Sequence, residues 1–319
     1  MRKTAVVSGS TGFIGTFLCA HLLSLDYHVI GLTRANVSRL DKRKRMLLQG
    51  VHFIQGDLKH DLDYIIESLS SKVQKGFEFY HLAWGGSNGL SDMDFYEQSL
   101  NLSVTKRLYL SVDALGASTF VFVGSMEEAF AENYLDVSFT QRGFYNRHII
   151  YAEAKRMAKI LLKNISLNCK VIFVDNSHVM GPLDNKDSFL QVTLSKMIEG
   201  NTEFIMSKGD QNFDCISVFD LVRVYVIAAE KGVHLNQYWA GSGNPRPLKE
   251  YVLALSQLFP KSSFNFRFGE LAYNDIVLDL KVFSVERVVK DLEYVPRVSF
   301  NEMAANLKTY LSQGTIEIL

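Results

Sequence analysis

A glycine-rich turn near the start of the chain limits its possible folds more than any other feature. The short apolar run Thr4-Ala5-Val6-Val7-Ser8 resembles a strand and leads directly into Gly9-Ser10-Thr11-Gly12-Phe13-Ile14-Gly15, after which apolar residues recur at helical spacing through about Leu25. In such a strand-turn-helix unit, glycines permit the tight turn, the approach of a pyrophosphate and the packing of helix on strand. The helix N-terminus holds the phosphates. Although the spacing is not the commoner Gly-x-Gly-x-x-Gly, we predict that all seven turn residues contact a dinucleotide.

The end of the second strand bears on which dinucleotide binds. His28-Val29-Ile30-Gly31-Leu32 is typical of a strand and ends at Thr33-Arg34, where an NAD-binding domain usually places an acidic residue on the ribose 2′-hydroxyl. The planar, permanently charged guanidinium of Arg34 suits a 2′-phosphate instead. We therefore predict NADP, bound by Thr33 and Arg34 with help from Arg39, and keep NAD as the alternative.

Farther along, strand-like and helical segments alternate in the pattern of a parallel sheet covered by helices on both faces. The predicted strands are 51–54, 77–82, 118–123 and 170–174, and the predicted helices are 61–70, 92–115 and 151–167. After about residue 175 the regularity breaks, with helices near 187–199, 218–231 and 247–258 among short strands at 204–206, 213–217 and 237–240. The pattern predicts an α/β, Rossmann-type doubly wound parallel sheet over 1–175, which also receives segments near 213–240, and a smaller mixed α/β substrate lobe over most of 176–319.

Composition excludes several classes of protein. The chain has 319 residues, 47% of them hydrophobic, and balances 34 basic against 34 acidic side chains, which argues against a nucleic-acid partner. The basic run 41–45 is therefore interpreted as a solvated helix face. We expect neither a signal peptide nor a membrane span, and hence a cytoplasmic enzyme. Cys19, Cys169 and Cys215 are far apart and lie mostly in apolar runs, so we expect reduced core thiols and no metal site.

Tyr151 and Lys155 are the strongest candidates for catalysis. On a helix, residues i and i+4 share a face. A cation about 4 Å from a phenol is worth on the order of 4 kcal/mol at an effective dielectric of roughly 20, or roughly three pH units. We therefore expect Lys155 to lower the pKa of Tyr151 into a range useful for proton transfer.

Together with the glycine turn and Ser125 after the strand Phe120-Val121-Phe122-Val123, this pair resembles the extended short-chain dehydrogenase/reductases, specifically the nucleotide-sugar epimerase/dehydratase/reductase family. The likeness spans nearly the whole chain. Other segments that resemble family motifs are Gly56-Asp57-Leu58 at the adenine, Leu82-Ala83-Trp84 along the cofactor, Asn101, Gly181-Pro182, Asp214 to Asp220 and Gly241-Ser242-Gly243.

The resemblance implies roles for individual residues. Tyr151 is the implied acid/base, Lys155 holds the nicotinamide ribose, and Ser125 hydrogen-bonds the reacting oxygen. The implied substrate contacts are Ser125, Met126, Glu127, His178 and Asn101, and His178 is also a possible cofactor contact.

The chain departs from the family pattern at two places. Before Gly181-Pro182 the family usually has an arginine and an asparagine that touches the substrate phosphates, whereas this chain has Asp175 and His178. His178 therefore either donates to phosphate or is a pocket-wall histidine. A dehydratase has an acid pair directly after the hydroxyl residue, but here Met126 takes the first place, followed by Glu127 and Glu128.

The preferred interpretation is an NADPH-dependent reductase acting on a keto group, at C4, of a nucleotide-activated deoxysugar. An epimerase with tightly bound NAD is the main alternative, a dehydratase is a weaker one, and a non-catalytic dinucleotide sensor is disfavoured by the presence of all three catalytic residues. By analogy with the family, the helices around 92–115 and 151–167 are expected to pair in a homodimer, although core packing within one subunit also explains their apolar positions.

Overall fold

A computed structural model of the protein describes residues 2–86, 94–134, 148–184, 188–272 and 276–319. Its strands, in chain order, are β1 (Thr4–Ser8), β2 (His28–Thr33), β3 (His52–Gln55), β4 (Glu78–His81), β5 (Thr119–Ser125), β6 (Lys170–Asn176), β7 (His178–Met180), β8 (Glu203–Met206), β9 (Asn212–Phe213), β10 (Cys215–Ser217), β11 (Gln237–Ala240), β12 (Arg246–Pro247) and β13 (Asn265–Phe268). Its helices are α1 (Phe13–Ser24), α2 (Lys42–Leu47), α3 (Leu62–Ser70), α4 (Phe95–Ala114), α5 (Glu127–Tyr134), α6 (Ile149–Lys163), α7 (Phe189–Ile198), α8 (Val218–Lys231), α9 (Leu248–Ser256), α10 (Glu286–Leu292) and α11 (Phe300–Gln313).

Seven parallel strands form the main sheet in the order β11-β6-β5-β4-β1-β2-β3. Successive side chains on a strand point to opposite faces. On β5, alternate side chains therefore lie in two apolar cores, one on each face of the sheet. Val121 packs on the face covered by α1 and α8, whereas Phe120 and Phe122 pack on the face covered by α3, α4 and α6. The predicted doubly wound α/β fold is confirmed, and the carboxyl ends of its strands share one edge, where ligands of such sheets bind.

The rest of the chain builds a smaller lobe with its own apolar core. Three two-stranded ladders, β7 with β10, β8 with β13 and β9 with β12, lie here with helices α7, α9 and α11. Leu194, Tyr251 and Leu307 represent these helices in the core. Strand β11, however, lies between lobe segments in sequence and pairs with β6 in the main sheet.

Some predicted boundaries were wrong. Helix α6 ends at Lys163 instead of 167, because Asn164 closes it with an Nδ2 hydrogen bond to the carbonyl of Ile160. The predicted strand 213–217 is two strands, since β9 pairs antiparallel with β12 and β10 pairs parallel with β7. Helix α5 was not predicted, and the start of the predicted helix 92–115 partly lies outside the described residues.

All three cysteines are buried and free, as predicted. None of the described helices is both long and apolar enough to span a membrane. On α6, Met157 and Ile160 are 45% and 53% exposed in the single chain. These side chains are available for a homodimer contact, which stays a prediction that the molecular mass in solution would test.

Candidate active site

The glycine turn after β1 has a geometry that only glycine permits at two positions. Gly9 has φ +72°, and a Cβ there would lie 3.0 Å from the backbone nitrogen of Ala83. A Cβ on Gly15 would lie 2.2 Å from the carbonyl oxygen of Gly9, so the first turn of α1 packs directly on the loop. Gly12, Phe13 and Gly15 then line a cleft at the N-terminus of α1. The closely packed backbone and the helix N-terminus form a cradle that suits a pyrophosphate.

Not every residue of the turn faces this cleft. The Ser10 hydroxyl is buried and donates to the carbonyl of Leu32 at 3.1 Å, so its side chain holds β2 against the turn. Thr11 does not line this cleft either, but lines the neighbouring cavity at the end of β2, where it shares a 2.7 Å hydrogen bond with the hydroxyl of Thr33.

A cavity of about 700 Å³ extends from the glycine turn along the ends of β2, β3 and β4. The predicted cofactor contacts Thr33, Arg34, Asp57, Leu58, Leu82, Ala83 and Trp84 all line it. Arg34 is 68% exposed and lies 3.5 Å from a carboxylate oxygen of Asp57. Burial acts to raise the pKa of Asp57, but the backbone N–H of Lys59 and the charge of Arg34 hold it below its usual range. The predicted 2′-phosphate residue is thus present at the expected end of the groove, already beside one carboxylate.

Two basic residues near this end depart from expectation. Arg39 is exposed in a short 3₁₀ turn and is not among the residues lining the cavity. Lys44, from the run expected to be a solvated face, instead donates to the carbonyl of Thr11 at 3.0 Å, and burial lowers its pKa. The sequence did not indicate Lys44, because nothing in a run of five charged residues shows which one contacts the glycine turn.

Asn101 on α4 lies in this first cavity, apart from the catalytic set. Its side chain accepts from the N–H of Gly85 at 3.0 Å and donates to the carbonyl of Gly85 at 2.8 Å. Both polar atoms of the amide therefore fix the loop after Trp84 in place.

A second cavity, of about 410 Å³, continues from the first and shares Gly9, Gly12, Leu82 and Trp84 with it. Ser125 at the end of β5 and Tyr151 and Lys155 on α6 all line this cavity. The three residues predicted to be catalytic therefore converge at one place, next to the glycine turn.

The expected lowering of the Tyr151 pKa is wrong in this structure. Burial raises that pKa, and a hydrogen bond with the Ser125 side chain only partly opposes the rise. The Lys155 ammonium donates to the carbonyl of Val123 at 2.8 Å and lies 3.9 Å from the centre of the Trp84 ring, whereas it is 5.7 Å from the centre of the Tyr151 ring. Burial also lowers the pKa of Lys155 to about 7. The phenol is consequently protonated at neutral pH and can act as a proton donor.

The predicted substrate contacts Met126, Glu127 and His178 line the same cavity as Ser125. Met126 is buried against Phe130 and Phe283, so the place of a dehydratase acid is filled by an apolar side chain. Burial lowers the pKa of His178 to about 4, and its Nε2 has no hydrogen-bond partner in the described ranges. His178 is thus a neutral ring with one free nitrogen beside the catalytic groups.

Arg246 in the smaller lobe was not predicted. Strand pairing sets it opposite Phe213, whose ring lies 5.2 Å from that of His178. Its guanidinium carbon lies 4.4 Å from the centre of the Tyr251 ring and 5.2 Å from that of Phe300, and its Nε is buried without a hydrogen-bond partner among the described residues. Nor does any described carboxylate form an ion pair with it. No local motif could have indicated Arg246, because its position depends on the pairing of two distant strands.

Comparison with known proteins gives relatives of the same length and shape. CDP-abequose synthase of Salmonella typhimurium is 24% identical over 282 residues, which cover 86% of this chain and 87% of that protein. UDP-glucuronic acid 4-epimerase of Bacillus cereus, in complex with UDP-glucuronic acid and NAD, is 20% identical with a TM-score of 0.73, covering 98% of this chain and 100% of the other. dTDP-glucose 4,6-dehydratase of Bacillus anthracis, in complex with NAD, is 16% identical with a TM-score of 0.72, covering 98% and 97%. At these identities the solved structures establish a shared fold.

The family to which the chain belongs is shown by a family model that matches most of its length. The model of the NAD dependent epimerase/dehydratase family matches residues 5–241, from β1 to the end of β11. This match includes the glycine turn, Ser125, Tyr151 and Lys155. The chain is therefore an enzyme of the NAD-dependent epimerase/dehydratase family.

Proposed function

We propose that this enzyme uses NADPH to reduce a keto group, at C4, of a nucleotide-activated deoxysugar, with Tyr151 as the proton donor. The observation that carries the proposal is the convergence of Ser125, Tyr151 and Lys155 on one cavity that continues into the groove from the glycine turn. Reduction of a carbonyl produces an alkoxide, and a donor close to the developing charge stabilises it.

The residues along the groove suit the successive parts of a dinucleotide. The cradle at Gly9 and Gly15 would hold the pyrophosphate, Arg34 the 2′-phosphate, and Lys155 the nicotinamide ribose. NADPH would supply the hydride. The guanidinium of Arg34 supports NADP over NAD because it offers a charged fork to a phosphate.

The protonation of the site favours the direction of reduction. Burial keeps Tyr151 protonated at neutral pH, which suits a group that must give a proton. The Ser125 oxygen accepts from the N–H of Glu127 at 3.2 Å. Its own hydrogen, which is shared with Tyr151 in this structure, would pass to a substrate oxygen placed between the two hydroxyl groups, since a hydroxyl has a single hydrogen to donate and two lone pairs.

Arg246 supports an anionic substrate that reaches from this cavity into the smaller lobe. A guanidinium that stacks on aromatic rings and has a buried Nε without a hydrogen-bond partner among the described residues suits a phosphate or diphosphate. The name of the Salmonella relative, a synthase of a CDP-linked sugar, agrees with a sugar activated by a nucleoside diphosphate. His178 would present its free Nε2 to the same substrate.

An epimerase with bound NAD is the second candidate. It is favoured by the NAD in both solved complexes described above and by the 4-epimerase named in one of them. The same three catalytic residues would then remove and return hydride within one turnover, and no cofactor would be consumed.

An isotope experiment separates the two candidates. The protein is incubated with a nucleotide 4-keto-6-deoxyhexose and NADPH carrying deuterium on one face of the nicotinamide C4, and a parallel reaction with the opposite label serves as the control. We expect deuterium from one face alone to reach the sugar carbon, with one NADPH oxidised per product. If a 4-hydroxy sugar nucleotide is instead interconverted with its epimer, and NAD is released when the protein is heated, the reductase proposal is wrong.

A further inference from the structure

Two hydrogen bonds, one with Glu127 and one with Glu128, join Ser125 to the first turn of helix α5. Its hydroxyl oxygen accepts from the N–H of Glu127 at 3.2 Å, and its own N–H donates to the Glu128 carboxylate at 2.9 Å. These two bonds resemble a capping box shifted by one residue, since the hydroxyl accepts from Glu127 instead of Glu128, and together they hold both the backbone and the side chain of Ser125. The orientation of the Ser125 hydroxyl therefore depends on where the Glu128 carboxylate is held.

The buried cation Lys159 pairs with the oxygen of the Glu128 carboxylate that does not accept from Ser125. Lys159 Nζ lies 2.6 Å from the second oxygen of Glu128 and 2.5 Å from an oxygen of Asp175 on β6. Gln237 on β11 donates to the other oxygen of Asp175 at 2.5 Å. Glu128, Lys159 and Asp175 are 6%, 6% and 2% exposed. A buried carboxylate without its partner is strongly unfavourable, so this geometry is tightly determined.

The same helix carries Lys159 and the proton donor. Tyr151, Lys155 and Lys159 recur every four residues on α6 and so share one of its faces. Tyr151 and Lys155 on that face line the cavity, and Lys159 reaches Glu128 in the first turn of α5. The position of α6 thus fixes both the phenol and, through Lys159 and Glu128, the serine.

We propose that Glu128 and Lys159 are positioning residues that hold Ser125 in register with Tyr151, so that both hydroxyl groups donate to one substrate oxygen. The proposal rests on the proposed function only in assuming that Ser125 and Tyr151 share a reacting oxygen, which holds for a reductase and for an epimerase. Neither residue lines the cavity, and each acts through Ser125.

A double-mutant cycle tests the proposal. Glu128→Ala should lower kcat roughly 10- to 100-fold, the loss expected when a charge-assisted hydrogen bond is removed, while the affinity for NADPH stays unchanged. In a Ser125→Ala background the same substitution should cost less than about twofold, because residues that act as a unit are not additive. Glu128→Gln should recover most of the activity, since the amide oxygen of glutamine can also accept from the N–H of Ser125.

The control is an exposed ion pair between the same two helices, Glu132 with Arg156 at 3.8 Å. Glu132→Ala should leave kcat within about twofold of wild type, as expected for a surface pair. Lys159→Met should resemble Glu128→Ala, but it strands two buried carboxylates, so the Glu128 variants decide the test if this variant does not fold. Equal losses for Glu128→Ala with and without Ser125 would overturn the proposal.

A readout independent of turnover keeps this test separate from the identity of the reaction. Amide hydrogen exchange of a peptide containing Ser125 to Glu128 should quicken in Glu128→Ala and stay unchanged in Glu132→Ala. If exchange there is unaffected by Glu128→Ala, the cap does not hold Ser125 and the proposal is wrong. A wild-type protein that neither reduces nor epimerises a sugar nucleotide would contradict the proposed function alone.

Discussion

The groove proposed for the cofactor and the wall proposed to face the substrate are built in different ways. Each part of the groove follows the end of a strand in the first half of the chain: the glycine turn after β1, Arg34 after β2 and Trp84 after β4. The substrate wall instead joins His178 on β7, Phe213 on β9 and Arg246 on β12, residues brought together by ladders between distant segments. The family match covers the first arrangement and ends at residue 241, before Arg246.

Of the three wall residues, His178 and Phe213 lie within the family match and Arg246 lies beyond it. A groove made by short loops at one sheet edge retains its chemistry as long as the local sequence does. A wall made by long-range pairing can exchange one residue for another without changing the fold, as His178 does here relative to the family pattern. Substitutions in the groove should therefore change the affinity for the cofactor, whereas substitutions in the wall should change KM for the sugar nucleotide.

The largest effect is expected from Tyr151→Phe, which removes the proton donor and little else. Turnover should fall by roughly 10²- to 10⁴-fold, the usual contribution of general acid catalysis, while binding of NADPH measured by fluorescence titration stays near the wild-type value. Lys155→Met is the companion variant and should impair both binding and turnover. A Tyr151→Phe enzyme that keeps more than about a tenth of wild-type kcat would mean that another group gives the proton.

The next effect tests the substrate wall. Arg246→Met removes the guanidinium but keeps a long apolar stem on Tyr251, so KM for the sugar nucleotide should rise roughly 10- to 100-fold with NADPH affinity unchanged. Lys249→Met is the matched control, because Lys249 is a nearby cation already paired with Asp210 at 2.7 Å. Equal KM values for the two variants, measured by initial rates, would show that Arg246 does not contribute to substrate binding.

The smallest effect tests the far end of the groove. Arg34 is exposed and already beside Asp57, so Arg34→Ala should weaken NADPH only about tenfold, near the lower end for a charge-assisted bond, and leave NADH nearly unchanged. Arg39→Ala should change either affinity less than about twofold, since Arg39 does not line the cavity. Calorimetric titration with NADPH and with NADH measures these affinities. Equal losses of NADPH and NADH would show that Arg34 does not read the 2′-phosphate.

Sequence reasoning worked best where chemistry and chain order coincide. The run Thr4–Ser8, the glycine turn and the parallel fold could be predicted because strand propensity, glycine spacing and helix periodicity are local signals. Ser125, Tyr151 and Lys155 could be placed in one cavity because all of them belong to the sheet edge or to the helix beside it.

The features that could not be predicted from the sequence depend on long-range contacts and burial. The pKa of Tyr151 was predicted in the wrong direction, because the position of Lys155 against Val123 and Trp84 depends on tertiary packing. The bond from Lys159 to Asp175 depends on how α6 packs on β6, and the exposure of Arg34 depends on the course of the loop after β2. No spacing in the sequence encodes any of these.

The return of β11 to the main sheet limits how this enzyme could be recombined with its relatives. The chain passes from the sheet to the lobe after β6, comes back to pair β11 with β6, and leaves again for β12. A chimaera that exchanged the lobe would need several crossover points, each within a packed strand pair, and a single fusion point would cut the sheet. New substrate preferences are therefore expected to arise by replacing individual wall residues in place, and a graft of the whole lobe should yield insoluble protein.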